Sequence, residues 1–154
     1  MKLSKIIKKN KIKIWIPLLV VLIGMGIASC SSNVGAASSW PGLTVGDNLA
    51  IVSYGYQLYA LNSENGSTKW VFPEKQDSKK MFFAPVEFAG DAIIVGDYAH
   101  DLYALNSSDG TLKWQFNEAA SRYVASAFYK DGFIYAPNAD KRLYVLDQNG
   151  DGKI

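Results

Sequence analysis

The stretch DLYALNSSDGTLKW, from Asp101 to Trp114, decides the fold because it occurs more than once in the chain. A similar stretch, QLYALNSENGSTKW, runs from Gln57 to Trp70, and a third version, RLYVLDQNGDGKI, begins at Arg142. The matching leucines lie 44 and 41 residues apart. Self-similarity at a period of about 20–50 residues is typical of solenoids, propellers and arrays. The sequence therefore predicts a repeat protein.

Each repeat contains four short segments with strand character, separated by turns rich in Gly, Asp and Asn. The segments LYALN and AIIVG do not alternate apolar and polar residues, which is typical of strands buried on both faces. Propeller blades are four-stranded antiparallel sheets that pack between two neighbours. We therefore expect an all-β fold of about three blades, at residues 40–72, 83–116 and 124–154, with the last blade truncated and lacking its final strand.

The hairpins predict how one blade contacts the next. An Asn-Gly and an Asp-Gly dipeptide, which end at Gly66 and Gly110, are strong signals for hairpin turns. These turns place each LYALN strand beside a strand that carries Trp70 or Trp114. A tryptophan has a large ring to bury and an N–H group that needs an acceptor. We expect each tryptophan to meet both needs by packing onto the next blade.

The repeat resembles the tryptophan-docking repeat of the PQQ-like β-propellers, a family named after the quinoprotein dehydrogenases. The resemblance rests on Ala, Gly and Trp at relative positions 1, 7 and 11, a spacing that occurs twice. The residues of this docking motif are Ala60, Gly66, Trp70, Ala104, Gly110 and Trp114. The third copy departs from it, because Val145 replaces the alanine and no tryptophan follows. A terminal insertion would match Gly152 to Gly110 and Ile154 to Leu112.

The resemblance implies two classes of function, since a fold alone does not choose one. One class is a quinoprotein dehydrogenase, which holds a quinone and calcium, uses a catalytic aspartate and has a disulfide between adjacent cysteines. The chain has a single cysteine, Cys30. The other class is a cofactor-free scaffold, similar to the propeller lipoprotein of the outer-membrane β-barrel assembly machinery. We expect the second class, a non-enzymatic scaffold without a cofactor; a cell-surface receptor for a small ligand or glycan is a third possibility.

Residues 1–29 resemble a lipoprotein signal peptide. Six of the 16 basic residues lie in the first 13 positions, and an apolar run of 16 residues follows, from Ile14 to Ser29. Small residues then precede Cys30, as in a bacterial lipobox, so Cys30 is the predicted lipid attachment site. The alternative is an uncleaved anchor, although the run is shorter than the roughly 20 residues that span a bilayer. Both interpretations place the rest of the chain outside the cytoplasm, at a membrane.

Residues 30–39 are rich in Gly, Ser and Ala and predict a short flexible linker. We therefore expect the blades to lie close to the membrane, in the periplasm or at the cell surface, with other envelope proteins as partners. After the N-terminal lysines, the chain has ten basic and 14 acidic residues, and no basic stripe indicates nucleic-acid binding. Propellers close with at least about four blades, so we also expect further blades, from a longer chain or from other chains.

Two polar segments are candidates for other chemistry. His100 is the single histidine and lies between two aspartates in the segment DYAHD, which is typical of a solvated loop rather than a metal or proton-transfer site. Asp147, Asn149 and Asp151 match the first half of an EF-hand-type calcium loop. The repeat offers a second interpretation, in which the same residues form a polar hairpin turn equivalent to Asn106–Gly110.

Overall fold

The computed structural model describes residues 41–153, and these residues form three four-stranded antiparallel sheets, which we call the first, second and third blades. The first blade consists of β1 (Gly42–Gly46), β2 (Leu49–Tyr54), β3 (Gln57–Asn62) and β4 (Thr68–Phe72). The second consists of β5 (Glu87–Ala89), β6 (Ala92–Gly96), β7 (Leu102–Asn106) and β8 (Leu112–Phe116). The third consists of β9 (Phe128–Lys130), β10 (Phe133–Pro137), β11 (Leu143–Asp147) and β12 (Gly152–Lys153).

The predicted fold class is confirmed, because every blade is an antiparallel meander with its strands in chain order. Between residues 41 and 153 no helix is long and apolar enough to cross a membrane. The predicted signal peptide, the linker and Cys30 lie outside the described residues.

The prediction that the third blade lacks its last strand is wrong, and so is the predicted insertion. Strand β12 pairs with β11, with Leu146 opposite Gly152. The third hairpin is one residue shorter than the second: Asp147 N–H donates to the Asp151 carbonyl, whereas Asn106 N–H donates to the Thr111 carbonyl. The glycine with positive φ in this turn is therefore Gly150, at φ +84°. The residue equivalent to Gly110 is thus Gly150, and not Gly152 as the sequence predicted.

The core lies between the blades rather than inside any one sheet, as two clusters of buried side chains. The first blade packs on the second through Ile51, Leu58, Ala60, Ile93, Val95, Tyr103 and Leu105. The second packs on the third through Ile94, Leu102, Ala104, Ile134, Ala136, Tyr144 and Leu146. The second blade is therefore buried on both faces, which explains why AIIVG and LYALN do not alternate.

The outward faces of the first and third blades remain exposed and apolar. On β1, Leu43 and Val45 are 59% and 64% exposed, and on the third blade Phe128 and Leu143 are 57% and 52% exposed. Strand β2 alternates buried and partly buried residues, as a strand with one covered face should.

Candidate functional site

The first contact that the motif residues make is between Trp70 and the turn of the second blade. The Trp70 indole N–H donates to the Ser107 carbonyl at 3.0 Å, and the residue is buried. Its ring lies against Gly110, where a Cβ atom would come within 2.5 Å of a ring carbon. Gly110 also has φ +73°, a conformation that L side chains rarely adopt. The position therefore needs glycine for both backbone and packing reasons.

The same arrangement recurs between the second and third blades. Trp114 N–H donates to the Gln148 carbonyl at 2.8 Å. A Cβ on Gly150 would lie 2.7 Å from a carbon of the Trp114 ring. Each tryptophan thus contacts the glycine turn of the following blade, and not the glycine of its own repeat.

The remaining motif residues occupy equivalent positions in their blades. Ala60 pairs with Trp70, and Ala104 pairs with Trp114, with both alanines fully buried. The register of each hairpin shifts directly after the alanine, which is the mark of a β-bulge. Gly66 has the same φ of +73° as Gly110, but no described atom lies within 4 Å of the Cβ it would carry.

A second candidate surface lies at one end of the sheets. In an antiparallel meander the β2–β3 loop and its equivalents share an end with the connections between blades. This end, which we call the loop end, comprises residues 54–57, 73–86, 97–101, 117–127 and 138–142. Backbone hydrogen bonds tie it together: Tyr98 N–H donates to the Met81 carbonyl, and Tyr123 N–H donates to the Asp97 carbonyl, each at 2.9 Å.

The loop end carries aromatic and cationic side chains at its surface. Tyr54 and Tyr56 are 59% and 39% exposed. The Tyr98 ring packs edge-on against Phe83, at 4.8 Å between centroids, and the Arg122 guanidinium lies 5.3 Å from the centre of the Tyr98 ring. The opposite end, which we call the turn end, consists of turns built mainly from Asn, Asp, Ser and Gly, at residues 47–48, 63–67, 90–91, 107–111, 131–132 and 148–151. Aromatic residues and arginine are the types enriched in protein interfaces.

A buried carboxyl group lies beneath the loop end. Tyr103 Oη is 2.9 Å from Asp97 Oδ2 and 3.0 Å from Asp101 Oδ2. The phenol has a single proton, so it donates to only one of the two carboxylates at a time. Asp97 is fully buried, and burial raises the pKa of its carboxyl group. The Lys80 ammonium lies 4.8 Å from the centre of the Tyr103 ring, a cation–π contact.

The two polar segments lie in a loop and a turn of the described blades. His100 is exposed at φ +82° in the loop. Asp147 Oδ1 accepts N–H groups from Asn149, at 2.8 Å, and Asp151, at 3.1 Å, which is the hydrogen bonding of a hairpin turn. Across residues 41–153 no group of three or more His, Cys, Asp or Glu residues could hold a metal ion.

Comparison with known protein families supports the resemblance of the repeat. A family model described as outer membrane protein assembly factor BamB matches residues 26–153. The chain belongs to this family. Comparison with curated protein sequences found no match.

The solved structures that resemble the chain include BamB itself. BamB from Moraxella catarrhalis is 24% identical, with a TM-score of 0.63, over 73% of this chain and 35% of that one. A quinohemoprotein alcohol dehydrogenase from Comamonas testosteroni is 19% identical, with a TM-score of 0.60, over 73% of this chain and 20% of that one. The computationally designed Ika4 protein is 14% identical, with a TM-score of 0.58, over 68% of this chain and 63% of that one. The chain thus spans about a third of the length of the Moraxella BamB that it matches. At these identities the likeness shows the fold alone.

Proposed function

We propose that the protein is a membrane-anchored, non-enzymatic scaffold of the cell envelope that binds other envelope proteins. The observation that carries the proposal is the match of the outer-membrane assembly factor BamB model to residues 26–153. In this account Cys30 holds the lipid, residues 30–39 form the linker, and the docking motif keeps the blades in register. The likeness to a quinohemoprotein dehydrogenase concerns the fold, which enzymes and scaffolds of this kind share.

The loop end is the surface we assign to partner binding. Its exposed Tyr54 and Tyr56, with the stacked Tyr98 and Arg122, offer large rigid side chains and a planar cation. Tyrosine side chains bury much surface at a low cost in side-chain entropy. Aromatic residues and arginine are also enriched in protein interfaces. The turn end offers polar turns whose side chains largely bond their own backbone, for example Asp147.

Site-specific photo-cross-linking in intact cells tests this assignment. A photoreactive amino acid replaces Tyr56 at the loop end, and a matched variant carries it at the exposed Asp131 of the turn end. We expect Tyr56 to give a discrete adduct with another envelope protein and Asp131 to give none. Equal adducts from both positions, or none from either, would contradict the assignment. Recovery of bound quinone from the purified protein would contradict the scaffold function and favour the dehydrogenase.

A further inference from the structure

The chain contains two Asn-Gly dipeptides, Asn65-Gly66 and Asn149-Gly150. The first lies in the turn between β3 and β4, and the second lies in the turn between β11 and β12. An asparagine that precedes glycine readily loses its side-chain amide, because glycine has no side chain to hinder attack by its backbone nitrogen. Both asparagines are exposed, so solvent reaches either side chain. The two turns differ in two other respects, and both differences favour reaction at Asn65.

The first difference is the hydrogen bonding of the asparagine. Asn65 Oδ1 accepts the Ser67 N–H group at 2.9 Å, and the ring that this bond closes contains both Cγ of Asn65 and the Gly66 nitrogen. The bond therefore folds the side-chain carbonyl towards the nitrogen that would attack it. It also stabilises the negative charge that develops on Oδ1 during the attack. Asn149 is bonded instead through its backbone N–H group, which donates to Asp147 Oδ1 at 2.8 Å.

The second difference is the cover over the glycine. A Cβ on Gly150 would lie 2.7 Å from a carbon of the Trp114 ring, whereas a Cβ on Gly66 would meet no described atom within 4 Å. The Trp114 N–H group also donates to the Gln148 carbonyl in the same turn, at 2.8 Å. The N–H groups of Gly66 and Gly150 donate to carbonyls of their own turns, at 2.8 and 3.1 Å, so each turn must open before its nitrogen can attack. Opening at Gly150 must also displace the docked tryptophan, which raises the free energy of that local opening.

We propose that Asn65 is the site at which this chain undergoes spontaneous deamidation, and that the docking of Trp114 protects Asn149. The Gly66 nitrogen forms a bond to Cγ of Asn65, the bond from Cγ to Nδ2 breaks, and Nδ2 leaves as ammonia with the proton of the Gly66 amide. Water then opens the resulting succinimide at either carbonyl group, which leaves aspartate or isoaspartate. The product adds a negative charge to the turn, and isoaspartate also adds a carbon to the backbone that leads into β4. The inference goes beyond the proposed function, because it holds equally for a scaffold and for an enzyme.

Incubation of the full chain in detergent at mildly alkaline pH tests the site. Mass spectrometry of its peptides measures the loss of each amide, and an isoaspartate-specific methyltransferase labels the isoaspartate. We expect Asn65 to react about tenfold faster than Asn149 or more, because the second turn opens less often. In concentrated urea we expect the two rates to become similar, since unfolding removes both differences. Equal rates in the folded chain, no reaction at Asn65, or a rate difference that persists in urea would overturn the proposal.

Variants of the docking tryptophans test the protection. Trp114→Ala removes the ring that covers Gly150, and Trp70→Ala is the matched control, because it removes the equivalent ring from another turn. We expect Trp114→Ala to raise the reaction rate of Asn149 by about tenfold and Trp70→Ala to leave that rate unchanged. Trp114→Phe keeps a ring but loses the hydrogen bond, so it should give a smaller rise, and it decides the matter if circular dichroism shows that the alanine variant has unfolded. An Asn149 rate that stays at its wild-type value in the folded Trp114 variants would overturn the proposal.

Discussion

Alanine at Gly110 tests whether tryptophan docking stabilises the stack of blades, and alanine at Gly66 provides its control. Both glycines have φ +73°, so both substitutions impose the same left-handed strain on an L residue. The two positions differ in what the new Cβ meets. At Gly110 it would lie 2.5 Å from a carbon of Trp70, whereas at Gly66 it would lie in open space among the described residues. The difference between the two variants therefore isolates the docking contact.

The structure sets the expected magnitudes. Strain alone should cost Gly66→Ala about 1–2 kcal/mol in free energy of unfolding. Gly110→Ala should cost this amount and more, because the Trp70 ring must move to restore an ordinary carbon–carbon distance of about 3.5–4.0 Å. That movement disturbs the 3.0 Å hydrogen bond to Ser107. Its loss is worth about 0.5–1.5 kcal/mol, and partial loss of indole burial brings the excess to about 1–3 kcal/mol.

Urea unfolding of both variants beside the parent chain measures the difference. With a slope of about 1–3 kcal/mol per molar urea, the excess should lower the midpoint of Gly110→Ala by about 1 M relative to Gly66→Ala. Circular dichroism at the starting condition controls for retention of the β-sheet. Equal midpoints for the two alanine variants would refute the reasoning, since they would mean that the ring of Trp70 contributes nothing at this turn.

Three further predictions concern titrating groups and the anchor. Burial raises the pKa of Asp97, so the folded chain holds this proton more tightly than the unfolded chain does. The free energy of unfolding therefore falls as pH rises above the ordinary carboxyl range. Asp97→Asn should reduce this fall in urea midpoints measured from about pH 4 to 7. A hydrogen bond from Lys113 and its charge lower the pKa of Asp91. This pair therefore stabilises the fold at pH values above the ordinary carboxyl range, and the stabilisation is lost on acidification, a loss that Asp91→Asn should remove. An unchanged pH profile of the urea midpoint in either variant would contradict the assigned cause. Cys30→Ala should abolish labelling by a radioactive fatty acid and leave the precursor unprocessed, whereas normal processing would rule out the lipobox.

The fold could be predicted because its determining signals are local and repeated. The LYALN segments and the glycine before each tryptophan specify a hairpin, and a hairpin that recurs at a fixed period specifies a stack of blades. The residues that join one blade to the next could also be predicted, because Trp70 and Trp114 are large amphipathic side chains at sheet edges. The spacing of the repeats did not determine the register of the third hairpin. A turn shortened by one residue leaves Gly150 and Gly152 as equal candidates until the backbone hydrogen bonds are known.

The loop end was not predictable in the same way, because it depends on contacts between segments that are far apart in the sequence. Nothing near Asp97 in the chain indicates that its carboxyl group is fully buried beneath Tyr103. The stacking of Arg122 on Tyr98 joins a connection between blades to a loop of the second blade. The aromatic residues of these loops were visible in the sequence, but their gathering at one end follows only from the meander of each blade.

Affinity purification from cross-linked membranes tests the scaffold account most directly. The wild-type chain is compared with Arg122→Glu, which reverses a charge at the loop end, and with Lys130→Glu, which reverses an exposed charge near the turn end. The account predicts that the wild type and Lys130→Glu recover the same envelope proteins and that Arg122→Glu loses them. Full recovery by Arg122→Glu, or a quinone recovered with the wild-type protein, would contradict it.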